Sequence, residues 1–171
     1  DVLVCANLPY YITSPVIMKL LEEKLPVESL TVMVQKEAAV RICAAPGTRA
    51  CGAVSVAVQY YSQPQILFDV PRDCFFPAPN VDSAVIRLNI RKEPPVKLET
   101  EEKQFFKLVK AAFGQRRKTV LNSLNTGLGK SKEELSAALQ QAGIAPTARA
   151  EQLTMEQFGT LCNLLFPNKT K

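Results

Sequence analysis

The stretch Val2-Leu3-Val4-Cys5-Ala6-Asn7-Leu8-Pro9-Tyr10 decides how the rest of the chain is read. Its first five residues are a continuous apolar run, the pattern of a strand buried inside a parallel sheet. The run then stops at a polar residue, a proline and an aromatic. Open α/β sheets gather their ligands at the C-terminal ends of strands, so Asn7–Tyr10 stands where a site is expected. The competing account is a plain turn, in which Pro9 sets φ and Tyr10 packs.

Outward from this stretch, Ser14 reads as an N-cap with Pro15 in the first helical position. Val16, Ile17, Leu20 and Leu21 then share one face of a helix that reaches about Lys24. Leu30–Val34 is the next β-rich run, and Lys36–Ala45 the next helix, stopped by Pro46-Gly47. Ala53–Tyr61 is ambiguous. Its valines suit a strand, yet Val54, Ala57, Val58 and Tyr61 keep helical spacing, and it is read as a helix. Gln65–Val70 and Asp82–Arg91 are strands with no helix-length segment between them, which implies antiparallel pairing at a sheet edge. The intervening Phe75-Phe76-Pro77-Ala78-Pro79-Asn80 is too rich in proline for a ladder and too aromatic for an idle loop. Phe76 is expected in the core.

The polar segment Lys92-Glu93-Pro94-Pro95-Val96-Lys97 reads as a linker between two regimes, residues 1–91 and residues 98–171. Strands and helices alternate before it; only helices follow. The first runs from about Glu101 to Phe113 with Thr100 as N-cap, and the second over Arg116–Leu124, ended near Gly127 and Gly129. Ser131-Lys132-Glu133-Glu134 is a capping box opening a third, which Gly143 closes, and Thr154-Met155-Glu156-Gln157 opens a fourth, which Pro167 ends. The fold class is α/β plus all-α.

A length of 171 residues allows one domain or one and a half. Average apolar and charged content argues against a disordered, collagen-like or coiled-coil chain. Apolar runs such as Ala53–Val58 are too short for a bilayer, and the opening shows no signal-peptide pattern, so no membrane association is expected. Histidine is absent, which excludes Ser–His and Cys–His catalysis and His-bearing zinc sites. Five cysteines (Cys5, Cys43, Cys51, Cys74, Cys162) form no CxxC pair, so no metal site is expected. They sit in apolar segments and read as reduced, mostly buried thiols, which suits the cytoplasm or an organelle interior.

The net charge of +5 is lopsided. Residues 1–91 hold 8 Lys/Arg against 8 Asp/Glu, and residues 92–171 hold 13 against 8. Between Lys103 and Lys132 there are eight basic residues and no acid. A solvated helix face is the ordinary reading of a charge run, but thirty residues without a carboxylate point to nucleic acid.

That partner suits the Asn7–Tyr10 string. An exocyclic amine on a base has its lone pair delocalised into the ring, so activating it takes acceptors for its hydrogens more than a strong base. Asn7 supplies a side-chain carbonyl, Leu8 or Pro9 a backbone one, and Tyr10 a face for stacking, worth roughly 1–3 kcal/mol per base. A second aromatic would complete a clamp, and Phe75 or Phe76 on the proline-rich loop is the candidate, against the plain reading that both are core.

Four strings in order carry a family resemblance: Asn7-Leu8-Pro9-Tyr10; Gln35-Lys36-Glu37 with Arg41; Phe75-Phe76-Pro77-Ala78-Pro79-Asn80-Val81-Asp82-Ser83-Ala84-Val85; and Phe113-Gly114-Gln115-Arg116-Arg117-Lys118-Thr119. Over nearly the whole chain they closely resemble the ribosomal RNA adenine N6,N6-dimethyltransferases. The macrolide-resistance methyltransferases share the Asn-x-Pro-Tyr type of motif but look less similar over Gln115–Thr119. The resemblance implies methyl transfer from S-adenosylmethionine to N6 of two adjacent adenosines near the 3′ end of small-subunit ribosomal RNA. The implied partner is the immature small ribosomal subunit, and the implied setting is cytoplasmic. By position, Asn7 and the Pro9 region would hold the adenine amino group beside the sulfonium methyl, with Asn7 also lining the cofactor site. Tyr10 would stack on the flipped adenine and Phe75 would cover its other face, while Phe76 takes no role. Lys107, Lys110, Arg116, Arg117 and Lys118 would contact RNA phosphates.

Such enzymes carry, ahead of the Asn-Leu-Pro-Tyr strand, a glycine-rich loop and acidic residues for the cofactor. Here the only Gly-x-Gly, Gly127-Leu128-Gly129, lies between helices without a preceding strand. The expectation is the C-terminal half of a Rossmann-like methyltransferase sheet, entered at its fourth strand, followed by a small helical RNA-binding domain. Such a piece should bind S-adenosylmethionine weakly or not at all, and self-associate through its exposed first strand. Two other readings stand beside this one. A non-catalytic RNA-binding or ribosome-assembly module would keep the basic helices but has no reason to keep Asn7–Tyr10 intact; a methyltransferase for another RNA would keep both.

Overall fold

Strand alternation sets up the first layer. In β1 (Leu3–Asn7), β2 (Ser29–Gln35), β3 (Ser62–Val70) and β4 (Ser83–Ile90), every second residue of the two central strands is apolar and buried. The computed structural model, which describes residues 2–168, joins them in one mixed sheet of order β1-β2-β4-β3. β1 runs parallel to β2, and β4 antiparallel to both β2 and β3. Leu30, Val32 and Val34 of β2 and Ala84, Ile86 and Leu88 of β4 are buried under three helices, α1 (Thr13–Glu22), α2 (Lys36–Ile42) and α3 (Ala53–Tyr61). The other face is largely open, with Leu3 68 % exposed on β1 and Arg87 and Asn89 on β4. β1 is therefore half-buried, its Val4 and Ala6 packed on the core while Leu3 and Cys5 face out.

The helical layer comprises α4 (Glu102–Ala112), α5 (Val120–Leu128), α6 (Lys132–Gln141) and α7 (Met155–Leu165) around Phe105, Leu108, Leu124, Leu135, Phe158 and Leu161. A side chain at Gly127 would bring its Cβ to 2.7 Å from the Ala111 Cβ, so the bare glycine lets α5 lie close on α4. α3 belongs to both cores. Val58 packs with the sheet, whereas Val56 and Tyr60 pack with the helices.

Several boundaries differ from those the sequence suggests. Ser14 does not cap α1; a 3-10 turn over Tyr10–Ile12 leads straight into the helix, with Ile12 in the cap position. Pro15 is tolerated there because first-turn N–H groups have no helical partner. Thr100 does not cap α4 either, since Glu101 takes that place without a side-chain bond. α2 ends at Ile42, short of Pro46, and β3 begins at Ser62 rather than Gln65, with Pro64 allowed because β3 is an edge strand. α5 starts at Val120, not Arg116, because the Thr119 hydroxyl accepts from the Asn122 N–H (3.4 Å) and ends the preceding turn. The Thr154 capping box forms in full. The Ser131 box forms by half: Ser131 accepts from the Glu134 N–H, while the Glu134 carboxylate pairs with Lys130 at 2.6 Å. The five thiols are free, but Cys5 and Cys74 are exposed and only Cys51 and Cys162 are buried. No helix among the described residues is long and apolar enough to cross a membrane.

One carboxylate fastens the two layers. Glu102, at the start of α4, accepts from Lys24 Nζ (3.1 Å), the Tyr60 hydroxyl (3.2 Å) and the Tyr61 hydroxyl (3.3 Å). Burial and then the Glu102 charge push both tyrosine hydroxyls well above their usual 10.0. Burial pushes the Cys43, Cys51 and Cys162 thiols up to about 11 from 9.0. All five groups keep their protons in the folded state at a pH where the unfolded chain loses them. The thiols' contribution to stability is complete below pH 9 and declines as pH rises through 9 to 11, and that of the tyrosines begins to decline only above pH 10. A urea midpoint that falls between pH 8.5 and 10.5 under reducing conditions is the expected outcome. Glu102→Ala, which leaves the Tyr60 hydroxyl without its acceptor, should cost about 1–3 kcal/mol in urea unfolding, and Glu102→Gln less.

Candidate functional site: the edge carrying Asn7–Tyr10

Parallel β1 and β2 end at the same sheet edge, β4 begins there, and β3, antiparallel to β4, also ends there. Asn7–Tyr10, Gln35-Lys36 and both ends of the 71–82 loop therefore converge at one edge. Asn7 is the last residue of β1, in register with Met33, and is exposed. The Pro9 carbonyl accepts from the Ile12 N–H (3.1 Å) and the Thr13 hydroxyl (3.2 Å). The Leu8 carbonyl accepts no hydrogen bond among the described residues, and the Asn7 side chain makes none. Of the two backbone acceptors open on sequence grounds, Pro9 is thus committed to the turn and Leu8 is free. Tyr10 is half-buried, its hydroxyl bonded to the Ser83 hydroxyl.

The 71–82 loop is tied down at its base. The Asp82 carboxylate accepts from the Arg72 N–H (2.9 Å), the Asp82 carbonyl from the Lys36 N–H (3.0 Å), and Arg72 Nη1 donates to the Asn80 carbonyl (3.2 Å). Lys36 Nζ reaches Asp69 at 2.7 Å, and this hydrogen-bonded partner raises the Lys36 pKa. Beside these residues lies a cleft of about 440 Å³. Phe75 is half-buried on the loop. Phe76 is fully exposed rather than in the core, because a short turn over Arg72–Cys74 and the prolines that follow carry it away from the sheet. Tyr10 and Phe75 share the edge but are not in ring contact among the described residues. Sequence reasoning missed Ser83 and Asp82 as parts of this edge, since their partners lie far away in the chain.

The basic residues form a separate feature. Lys107 and Lys110 are exposed on α4, and Arg116, Arg117 and Lys118 are exposed on the turn into α5. None of the five is within ion-pair distance of a carboxylate among the described residues, whereas Lys103 pairs with Glu101 and Lys130 with Glu134.

Known proteins match this chain over nearly its whole length. A family model for ribosomal RNA adenine dimethylase matches residues 1–166, and the chain belongs to that family. It is 55 % identical over 166 residues to a ribosomal RNA small subunit methyltransferase A of Alkaliphilus oremlandii, covering 96 % of this chain and 58 % of the relative. Against the protein of the same name from Geobacillus sp. (strain WCH70) it is 52 % identical over 168 residues, covering 96 % and 57 %. The chain thus spans less than three fifths of these relatives. Among solved structures it resembles a dimethyladenosine transferase from Plasmodium falciparum (TM-score 0.75, 25 % identity, 94 % of this chain and 65 % of the other). It also resembles the 23S rRNA methyltransferase ErmE (TM-score 0.66, 26 % identity, 95 % and 64 %). The sheet and the helices over it are those of a Rossmann-like methyltransferase.

Phe76→Ala should change the unfolding free energy by less than about 0.5 kcal/mol, where a buried phenylalanine would cost about 3–5 kcal/mol; urea denaturation decides between the two.

Proposed function

We propose that this chain supplies the adenine-binding edge and the RNA-binding helices of an S-adenosylmethionine-dependent dimethyltransferase acting on N6 of two adjacent adenosines near the 3′ end of small-subunit ribosomal RNA. The observation that carries the reading is the free pair of acceptors, the Asn7 side chain and the Leu8 carbonyl, next to a tyrosine ring held by its hydroxyl. The names of the curated relatives support the small subunit as substrate.

In this reading Asn7 and Leu8 accept the two hydrogens of the adenine amino group. That draws electron density back toward the nitrogen and turns its lone pair toward the methyl donor. Tyr10 stacks on one face of the flipped base and Phe75 closes on the other, which offsets much of the cost of unstacking it. S-adenosylmethionine, when bound, supplies an electrophilic methyl group and leaves as a neutral thioether. The residues present fit one side of that group: Asn7 is exposed at the strand end and able to line it, and Pro9 shapes the turn beside it. Positioning and polarisation of the amine are what the chain contributes to rate. Lys107, Lys110, Arg116, Arg117 and Lys118, without a carboxylate partner among the described residues, bind phosphates of the RNA, and the end of α5 nearest Arg116–Lys118 adds the positive pole of its dipole.

Transfer of labelled methyl groups to immature small ribosomal subunits tests this, using the chain supplemented with the segment its curated relatives carry beyond the matched part. Activity is expected there, reduced at least about 100-fold by Asn7→Ala. Replacing Arg116, Arg117 and Lys118 by Ala should lower the slope of log K against log salt by about 2–3. No transfer with salt-sensitive RNA binding retained would favour the non-catalytic module, and transfer to a different RNA the third reading.

A further inference from the structure

Ser83 opens β4, is fully buried, and bonds through its hydroxyl to the hydroxyl of Tyr10, 73 residues away in the chain. Its Cα lies in register with Gln35 on one side and Val70 on the other, between the two strand ends that flank the site. Asp82, one residue earlier, holds the Lys36 N–H through its carbonyl and the Arg72 N–H through its carboxylate. Arg72 in turn accepts from the Phe75 N–H (3.2 Å). Two adjacent residues therefore hold, by separate bonds, the tyrosine ring at the strand end and the root of the loop that bears Phe75.

A tyrosine that only filled a turn could leave its half-buried hydroxyl in water. Here the hydroxyl is taken instead by a buried serine. A bond on the ring axis fixes χ1, and so the place of the ring, while leaving its π face free. We infer that Ser83 is a positioning residue for the adenine site, holding the Tyr10 ring where a flipped base stacks and, with Asp82, joining that wall to the Phe75 loop. The inference rests on the adenine-binding reading above. Its physical content is preorganisation: the ring's χ1 is settled on folding, so base binding has only the ring plane left to order.

The test is titration of the chain against a short single-stranded RNA carrying one 2-aminopurine, whose fluorescence is quenched when it stacks on an aromatic ring. Saturable quenching that Tyr10→Ala abolishes is expected. Ser83→Ala and Tyr10→Phe should each weaken it about 3-fold to 10-fold, the worth of one neutral hydrogen bond, and the double variant should be no weaker than either single one. Tyr10→Phe keeps the ring and leaves Ser83 in place, so it reads the bond even where Ser83→Ala folds poorly. Quenching that depends on Tyr10 but is unchanged in both single variants, or losses that add in the double variant, would overturn the positioning role and leave the adenine site standing. Absence of any Tyr10-dependent quenching would overturn the adenine reading itself, and the inference with it.

Discussion

The molecule depends on α3 being buried from both sides. Val58 belongs to the core beneath the sheet and Val56 and Tyr60 to the core among α4–α7, so nine residues join two layers that also meet at the Lys24–Glu102 ion pair. Each such side chain, fully buried, contributes about 1.5–3 kcal/mol. The ends of the helix are held by small polar residues that are themselves buried: Ser55 accepts from the Gly52 N–H and donates to the Arg41 carbonyl, and Ser62 donates to the Val58 carbonyl. Glu102 completes the joint by gathering Lys24, Tyr60 and Tyr61 around one carboxylate, in a place shielded enough for neutral hydrogen-bond donors to matter.

With α3 fixed, connectivity does the rest. A parallel pair followed by an antiparallel return brings the ends of β1, β2 and β3 and the start of β4 to one edge, and four separate chain segments meet there. The chemistry at that edge is mostly backbone chemistry. The 3-10 turn after Pro9 uses that residue's carbonyl twice, which leaves the carbonyl of Leu8 beside the Asn7 amide as the unclaimed acceptor. No ionisable group is required for this arrangement, which is why a chain without histidine can carry it.

The surface cations fall into two sets. Lys24, Lys36, Lys103 and Lys130 each find a carboxylate, whereas Lys107, Lys110 and Arg116–Lys118 find none among the described residues. A cation at the beginning of a helix is repelled by the helix dipole, so Arg116–Lys118 before α5 gain nothing for folding where they stand. Under the proposed function, that position serves to bind phosphates.

Local sequence was informative wherever a pattern reports on its own surroundings. The apolar run ending at Asn7, the alternation in β2 and β4, the antiparallel return of β3 and β4, and the Thr154 capping box all depend on residues within a few positions of one another. So do the Asn7–Tyr10 motif and the acid-free basic stretch, and with them most of the candidate site. Ala53–Tyr61 lay at the limit, because a helix apolar on all sides loses the periodicity that separates it from a strand. The caps assigned to Ser14 and Thr100, and a buried Phe76, failed because neighbouring turns moved the backbone by one to several residues. What the tertiary structure alone decided were contacts between distant segments: Tyr10 with Ser83, Asp82 with Lys36, and Glu102 with Tyr60. Their geometry is set by the registry of strands and the packing of helices, to which no short stretch of sequence has access.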